Sequence, residues 1–347
     1  MKALHNKINN NLLKARMATV DEKRVTLSFY RYYHLEDPSG FRDALYKSLD
    51  QYQVFGRVYV ATEGINAQIS VPESQFEGFR EALYAVPWLK GVRLNIAVED
   101  DGRSFYKLTV KVRSKIVADG LDDKSFDVTQ RGQPLDARSF NALTEQPDTV
   151  IVDMRNHYES EVGYFKGAIR PDVATFREAL PLVEAMLRDQ KEKNVVMYCT
   201  GGIRCEKASA YMLHKGFKHV FMVEGGIIKY AHECQEEQLE NKFIGKNFVF
   251  DERLGERIST EIVAHCHQCG VACDTHKNCA NDACHILFIQ CPDCTSKYRD
   301  CCSPECADFL LLPEAERLAL RGKYQFNGSK FGKGGRLKSI PPPSAAK

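Results

Sequence analysis

Excess charge of either sign is what this 347-residue chain most lacks: 48 Lys and Arg stand against 46 Asp and Glu, a net charge of +2. Overall electrostatics therefore cannot draw it to a polyanion, and any nucleic-acid surface has to arise from local clustering. Long hydrophobic runs are missing too. The opening MKALHNKINNNLLKARMATV holds no continuous apolar leader core, and no stretch reaches the roughly 20 apolar residues that cross a bilayer. A cytoplasmic location with no membrane partner is the expectation. Cofactor signatures are also absent: there is no flavin or nicotinamide fingerprint and no evident His/His/carboxylate iron motif. The late GKGG is not a phosphate-binding loop, because no strand precedes it and no Ser or Thr follows its lysine at the required place.

Cysteine, by contrast, is plentiful. Ten of thirteen lie between Cys266 and Cys306, and in a reducing compartment such a cluster points to metal ligation rather than to disulfides. Two C-x2-C knuckles, Cys266/Cys269 and Cys291/Cys294, bracket Cys279 and Cys284, and Cys302 and Cys306 follow. Taken as eight thiolates, these residues supply two closed, structural zinc sites, which a segment of so little apolar mass needs. Spacing does not decide which four share an ion. His265, His267, His276 and His285 are read mostly as bystanders.

The length implies two or three domains. Residues 1–20 carry Lys2, Lys7, Lys14 and Arg16 without an acid and read as a basic arm. Over 21–118 the pattern is strand (VTLSFYRYY), helix opened by Pro38, strand (FGRVYVATEG), strand (INAQISV), helix, then a fourth strand from Arg93. This βαββαβ order is that of a ferredoxin-like domain. In the extension RSFYKLTVKVRSKIV, Arg103, Lys107, Lys111, Arg113 and Lys115 alternate with Leu108, Val110, Val112 and Ile116. Period two puts the cations on one face, where Lys107, Lys111 and Arg113 are candidates to track a phosphate backbone and Phe105 to stack on a base. A solvated edge strand guarded by lysines is the competing explanation.

Residues 119–137 are polar and turn-rich and read as a linker. Over 138–240 strands alternate with helices, giving a small parallel α/β domain: TVIVDMR, a short GAIRP strand, a helix that Pro181 should kink or split, NVVMYC, and KHVFMVEGG. Cys199 ends the fourth of these segments and is followed by Gly201, Gly202 and Arg204 at the start of a helix. Loop amides, the helix dipole and Arg204 favour a thiolate there, so Cys199 is the candidate nucleophile with Arg204 as its partner. The plain alternative is a small buried hydrophobe. Ligands of parallel sheets bind beyond the strands' carboxyl ends, where Asp153 and Arg155 also emerge. Arg155 is accordingly a candidate substrate contact, and Asp153 a cap or turn residue. Cys205 is either a resolving thiol or a packed side chain. Residues 241–310 form the cysteine-rich zinc module, its first twenty residues having little core of their own, and 311–347 a basic, largely disordered tail.

With VDMRNHYESEVGYFKGAIRPD, CTGGIRC and VEGGI, residues 138–240 resemble a rhodanese domain, in which the cysteine matching Cys199 carries a persulfide. The loop is C-x4-R, the sulfurtransferase size, one residue shorter than in the related phosphatases. Together with ATEGINAQIS and HCHQCGVACDTHKNCANDACH, the whole chain is similar to the rhodanese-like tRNA uridine hydroxylases. That resemblance implies conversion of wobble uridine to 5-hydroxyuridine with molecular oxygen as co-substrate, Cys199 as the essential thiol and the tRNA anticodon stem-loop as partner. A rhodanese-type sulfurtransferase and a non-catalytic RNA-binding adaptor are the alternatives. No feature identifies a protein partner.

Overall fold

The computed structural model describes Leu13 and residues 22–121, 127–320, 326–328 and 337. The cations of the expected arm, and those of the expected tail from Arg321 to Lys347, lie outside the described residues.

The first unit comprises β1 (Arg24–Tyr32), α1 (Pro38–Gln51), β2 (Phe55–Ala61), β3 (Gly64–Pro72), α2 (Phe76–Tyr84), β4 (Asn95–Ile96) and β5 (Leu108–Val112). Asp37 caps α1 by accepting from the Gly40 N–H at 2.9 Å, and Pro38 occupies its first turn, where no N–H is needed. Alternate residues of the strands, Leu27, Phe29, Val58, Val60, Ala67 and Ile69, pack against Leu45 and Leu49 of α1 and Phe79 and Leu83 of α2. Period two therefore leaves the opposite face of the sheet polar and uncovered by α1 and α2.

The sheet order is β4-β1-β3-β2-β5. This corrects one expectation. The basic strand is not an extension of β4 but a separate fifth strand at the far edge, parallel to β2 with Tyr59 opposite Lys111. The break comes in the intervening acidic turn, where Asp100 bonds back to Thr26 and the Gly102 N–H, and Gly102 sits at φ 71°. That left-handed backbone turns the chain away from β1.

The second unit contains β6 (Gln133–Leu135), α3 (Ala137–Thr144), β7 (Thr149–Asp153), α4 (His157–Ser160), β8 (Gly163–Phe165), α5 (Phe176–Met186), β9 (Asn194–Tyr198), α6 (Ile203–His214), β10 (His219–Val223) and α7 (Gly226–Glu236). Its parallel sheet runs β6-β10-β9-β7. Strand β6 falls inside the segment read as a linker; only three residues long, it carries no periodic signal. GAIRP makes a single bridge, Val152 with Ile169, rather than a strand. Pro181 does not split α5. It lies mid-helix on an exposed position, where its missing N–H forfeits one bond to the preceding turn. Strand β9 is buried on both faces, as VVMY suggested.

After α7, β11 (Phe243–Asn247) pairs with β8 and with β12 (Glu256–Arg257). A small hairpin of β13 (His276–Asn278) and β14 (Leu287–Ile289) and the helices α8 (Pro292–Tyr298), α9 (Pro304–Leu311) and α10 (Glu314–Leu320) complete the described chain. Among the described residues no helix is long and apolar enough to cross a membrane.

Candidate active site

Cys199 follows β9 directly, and its loop reaches α6 through Gly202 at φ 98°, a backbone state that a β-carbon would strain. The Gly202 N–H points back at the Cys199 sulfur, 3.2 Å away. On the other flank Gly226, at φ 68°, lets the start of α7 press against the same loop. A β-carbon there would stand 2.4 Å from the Cys199 carbonyl oxygen. Ile227 N–H instead donates to that oxygen at 3.0 Å. The glycines of CTGG and VEGG thus serve one purpose, a tight loop with its amides turned inward.

The Cys199 side chain is wholly buried, which by itself opposes ionisation, yet its pKa is held down to about 6 from an ordinary 9.0. A hydrogen bond from the Cys205 thiol, the charge of Arg204, and the Cys205 and Gly202 amides outweigh the burial. Cys205 is itself pushed up, first by burial and then by donating to Cys199. It is therefore the proton-bearing neighbour of a thiolate, a role that adjacency in sequence does not reveal. Arg204 acts less directly than expected. Its fork is taken by Glu159, at 2.6 and 2.8 Å, so its positive charge reaches Cys199 while its donors do not. A Cys205→Ala variant is expected to displace the pH profile of Cys199 alkylation, which rises through about pH 6 and then levels, to higher pH. An unmoved midpoint would show that Arg204 and the amides suffice.

Arg155 is corrected by the structure. It is 1% exposed, grips Asp153 at 2.9 and 2.7 Å, donates to the Gly163 carbonyl at 2.6 Å and lies against the rings of Tyr198 and Phe243. A guanidinium so enclosed is structural and does not meet a ligand. Asp153 also accepts from the Tyr198 hydroxyl at 2.7 Å, so it too holds the sheet end together.

The face of the first sheet opposite α1 and α2 lies over the Cys199 loop, and a cavity of about 410 Å³ separates them. Strand register lays out its wall in two rows. One runs Asn95, Ser28, Gln68, Arg57, and the other Tyr30, Asn66, Tyr59, Lys111. All but Lys111 line the cavity with Cys199, as do Phe105 and, from the strap after β11, Phe250 and Arg253. These residues were missed as site residues, although the polar positions of VTLSFYRYY, FGRVYV and INAQISV carried the signal in their alternation. The strap, read as having little core of its own, places Phe248 in the core beside Tyr158 and Phe250 at the pocket.

The two units are docked by buried charge. Lys207 of α6 is wholly buried and bonds Glu63 at 2.6 Å and Asp119, which also takes Lys115 at 2.7 Å. The ATEG turn and the CEKAS helix start thus meet as an ion pair. Removing one partner from such a set leaves an uncompensated buried charge, at a cost of about 3–5 kcal/mol. Tyr30 donates to Glu206 at 2.9 Å and Tyr32 to the Ile203 carbonyl at 3.2 Å, which completes the seam.

The basic strand stands apart from the pocket. Lys111 and Arg113 are exposed, Arg113 lies 5.5 Å from the Tyr59 ring, and Lys107 is half-buried. Lys111 closes the row that begins at Tyr30, three strand spacings or about 15 Å away.

The cysteine-rich module gathers eight sulfurs into two groups, Cys266/Cys269/Cys291/Cys294 and Cys279/Cys284/Cys302/Cys306, each with all ligand atoms within 4.8 Å of one another. The knuckles pair with each other, and the remaining four form the second set. Amides point at the sulfurs, Cys291 N–H at Cys266 and Cys302 N–H at Cys279, both at 3.4 Å. Four converging thiols with N–H donors behind them are the donor set of a closed tetrahedral thiolate site. Both groups could hold a metal ion. Cys273 and Cys301 belong to neither.

Three family models match in succession: a UPF0176 acylphosphatase like domain over residues 24–116, a rhodanese-like domain over 136–233 and a rhodanase C-terminal model over 244–307. The chain is 57% identical to the tRNA uridine(34) hydroxylase of Pectobacterium atrosepticum over 99% of each chain. It is 58% identical to that of Pectobacterium carotovorum, over 95% of this chain and 93% of the relative. With that of Yersinia enterocolitica the figure is 59%, over 95% of each.

Proposed function

The chain belongs to the tRNA uridine(34) hydroxylase family, and from that premise we propose that it converts the wobble uridine of tRNA to 5-hydroxyuridine with molecular oxygen as co-substrate and Cys199 as nucleophile. The observation that carries the reading is a thiol held down to about 6 at the floor of a pocket whose opposite wall is polar and aromatic. Such a wall suits a base taken out of its stack, and unstacking costs little in a single-stranded loop.

Addition of the thiolate to C6 of uracil places carbanion character on C5, the atom to be hydroxylated. C5 takes one atom of dioxygen. The other leaves as water, with two protons and two electrons from a thiol reductant that becomes a disulfide. Loss of the C5 proton and departure of Cys199 restore the C5–C6 double bond and the thiolate. Arg204 and the loop amides oppose the return of a proton to sulfur and stabilise negative charge near it. Incubation of the full chain with tRNA under isotope-labelled dioxygen, followed by nucleoside mass spectrometry, tests this. Labelled 5-hydroxyuridine is expected; unlabelled product would remove dioxygen from the scheme.

The exposed edge of β5 supports tRNA binding outside the pocket. Reversing Lys111 and Arg113 to Glu is expected to weaken tRNA binding by about tenfold and to flatten its logarithmic salt dependence by about 1 to 2. Unchanged affinity would return this edge to the role of a solvated strand. The C-x4-R loop favours a second reading, transfer of a Cys199 persulfide sulfur. Cyanide-dependent turnover of thiosulfate, with thiolated rather than hydroxylated nucleosides, would establish it. For the cysteine groups, zinc is the proposed metal, with a structural role.

A further inference from the structure

One polar atom at the pocket has no use in the chemistry above. Asn95 is 5% exposed, and its Oδ1 is buried without a hydrogen-bond partner. The amide's orientation is set by its neighbour: Nδ2 donates to the Gly201 carbonyl at 3.4 Å, a group that only accepts, so Oδ1 is the atom left over. Asn95 lines the same cavity as Cys199 and sits beside Ser28 in the cross-sheet register. Both approach Gly201, whose β-carbon, if present, would lie 3.7 Å from Asn95 Nδ2 and from Ser28 Oγ. The reading residue is thus tied to the loop that carries the nucleophile. An unpaired buried acceptor is destabilising until a donor reaches it.

The uracil ring has one hydrogen-bond donor on its pairing edge, N3–H, and N3 lies directly across the ring from C6. With the Cys199 sulfur over one face of the ring at C6, as addition to the C5–C6 double bond requires, N3–H points outward in the ring plane from the position opposite C6. We propose that Asn95 is the specificity-determining residue of this pocket: its Oδ1 accepts the N3–H of uracil, and this contact selects uracil over cytosine. A cytosine ring carries a lone pair at N3, which would face the lone pairs of Oδ1. A site that hydrogen-bonds one ring in this way rejects the other by leaving or setting polar atoms in opposition. The inference rests on the uridine reading of the Cys199 pocket and adds to it the means by which the base is read.

The test is a competition assay under anaerobic conditions with the full chain and a fluorescent anticodon stem-loop bearing wobble uridine. Competitors carry wobble uridine, cytidine or 3-methyluridine. The parent chain is expected to prefer uridine over both others by about tenfold or more. Asn95→Ala and Asn95→Leu are expected to bind all three within about twofold of one another, the preference for uridine being lost. A preference that survives in both variants, or its absence from the parent chain, would overturn the assignment. Failure of the hydroxylase reading would show elsewhere, as absence of 5-hydroxyuridine when the parent chain is given oxygen and tRNA.

Discussion

Replacing Cys199 with serine is expected to abolish 5-hydroxyuridine, a loss on the order of 10⁴-fold or more, as is usual when a covalent nucleophile is removed. With its pKa held down to about 6, Cys199 is mainly thiolate at pH 7. A serine hydroxyl at the same place stays protonated, and the surrounding donors cannot change that. The swap removes little volume from the Cys199 environment, so the fold and tRNA affinity should be unaltered. Mass spectrometry of nucleosides after incubation reads the first effect, and anisotropy with labelled tRNA the second. Product formed by the folded serine variant would exclude Cys199 from the chemistry. Loss of tRNA binding together with product would mean that the residue acts through the fold instead.

The second large effect concerns metal. Native mass spectrometry of the full chain is expected to show two zinc ions, with Cys284→Ser losing one and Cys266→Ser losing the other. Two ions retained in either variant would contradict the grouping, and none in the parent chain would contradict metal binding. The energetic argument rests on how little else is present. Among the described residues, the buried apolar side chains other than cysteine in the cluster around the second group are Ile286 and Phe288, with Ala307, Leu310, Phe326 and Leu337 partly covered. Structural zinc supplies about 10–16 kcal/mol to small sites of this kind, which that core could not replace. The consequences for the active site should differ. The first group packs in one cluster with Tyr158, Val162 and Phe248, and Phe248 opens the strap that lines the pocket. Cys266→Ser should therefore lower hydroxylation more than Cys284→Ser does. Equal losses would point to a collapse of the whole module.

Several parts of this molecule were legible from residue order because the physics that shapes them is local. A short apolar run, a cysteine, two glycines and an arginine specify a strand, a loop and a helix start, and the loop's own amides turn toward the sulfur. Alternation in β1, β2 and β3 also carries a polar sheet face, although only that of the basic strand was read. The C-x2-C knuckles marked sulfur groups that could hold a metal ion before any pairing was known.

Elsewhere the same local signals misled. Arg155 emerges at a strand end beside the candidate nucleophile, yet its partners Asp153, Gly163, Tyr198 and Phe243 come from four segments and enclose it. The β5 strand has the alternation expected of it, but a turn at Gly102 carries it to the edge of the sheet opposite β4, so that Lys111 and Arg113 stand apart from the pocket.

The sequence by itself determined the strand–loop–helix setting of Cys199, the alternation of polar and apolar strand faces and the supply of cysteines for the two sulfur groups, since each depends on neighbours a few positions away. Tertiary structure alone decided what opposes Cys199, which cysteines share a group and which charges are available to solvent. Those outcomes depend on contacts between residues far apart in the chain, such as Glu63 with Lys207 and Asn95 with Gly201. No period or spacing encodes such contacts. They follow from burying the apolar faces of the sheets and helices together, which leaves one polar face of the first sheet to close over the loop of the second unit.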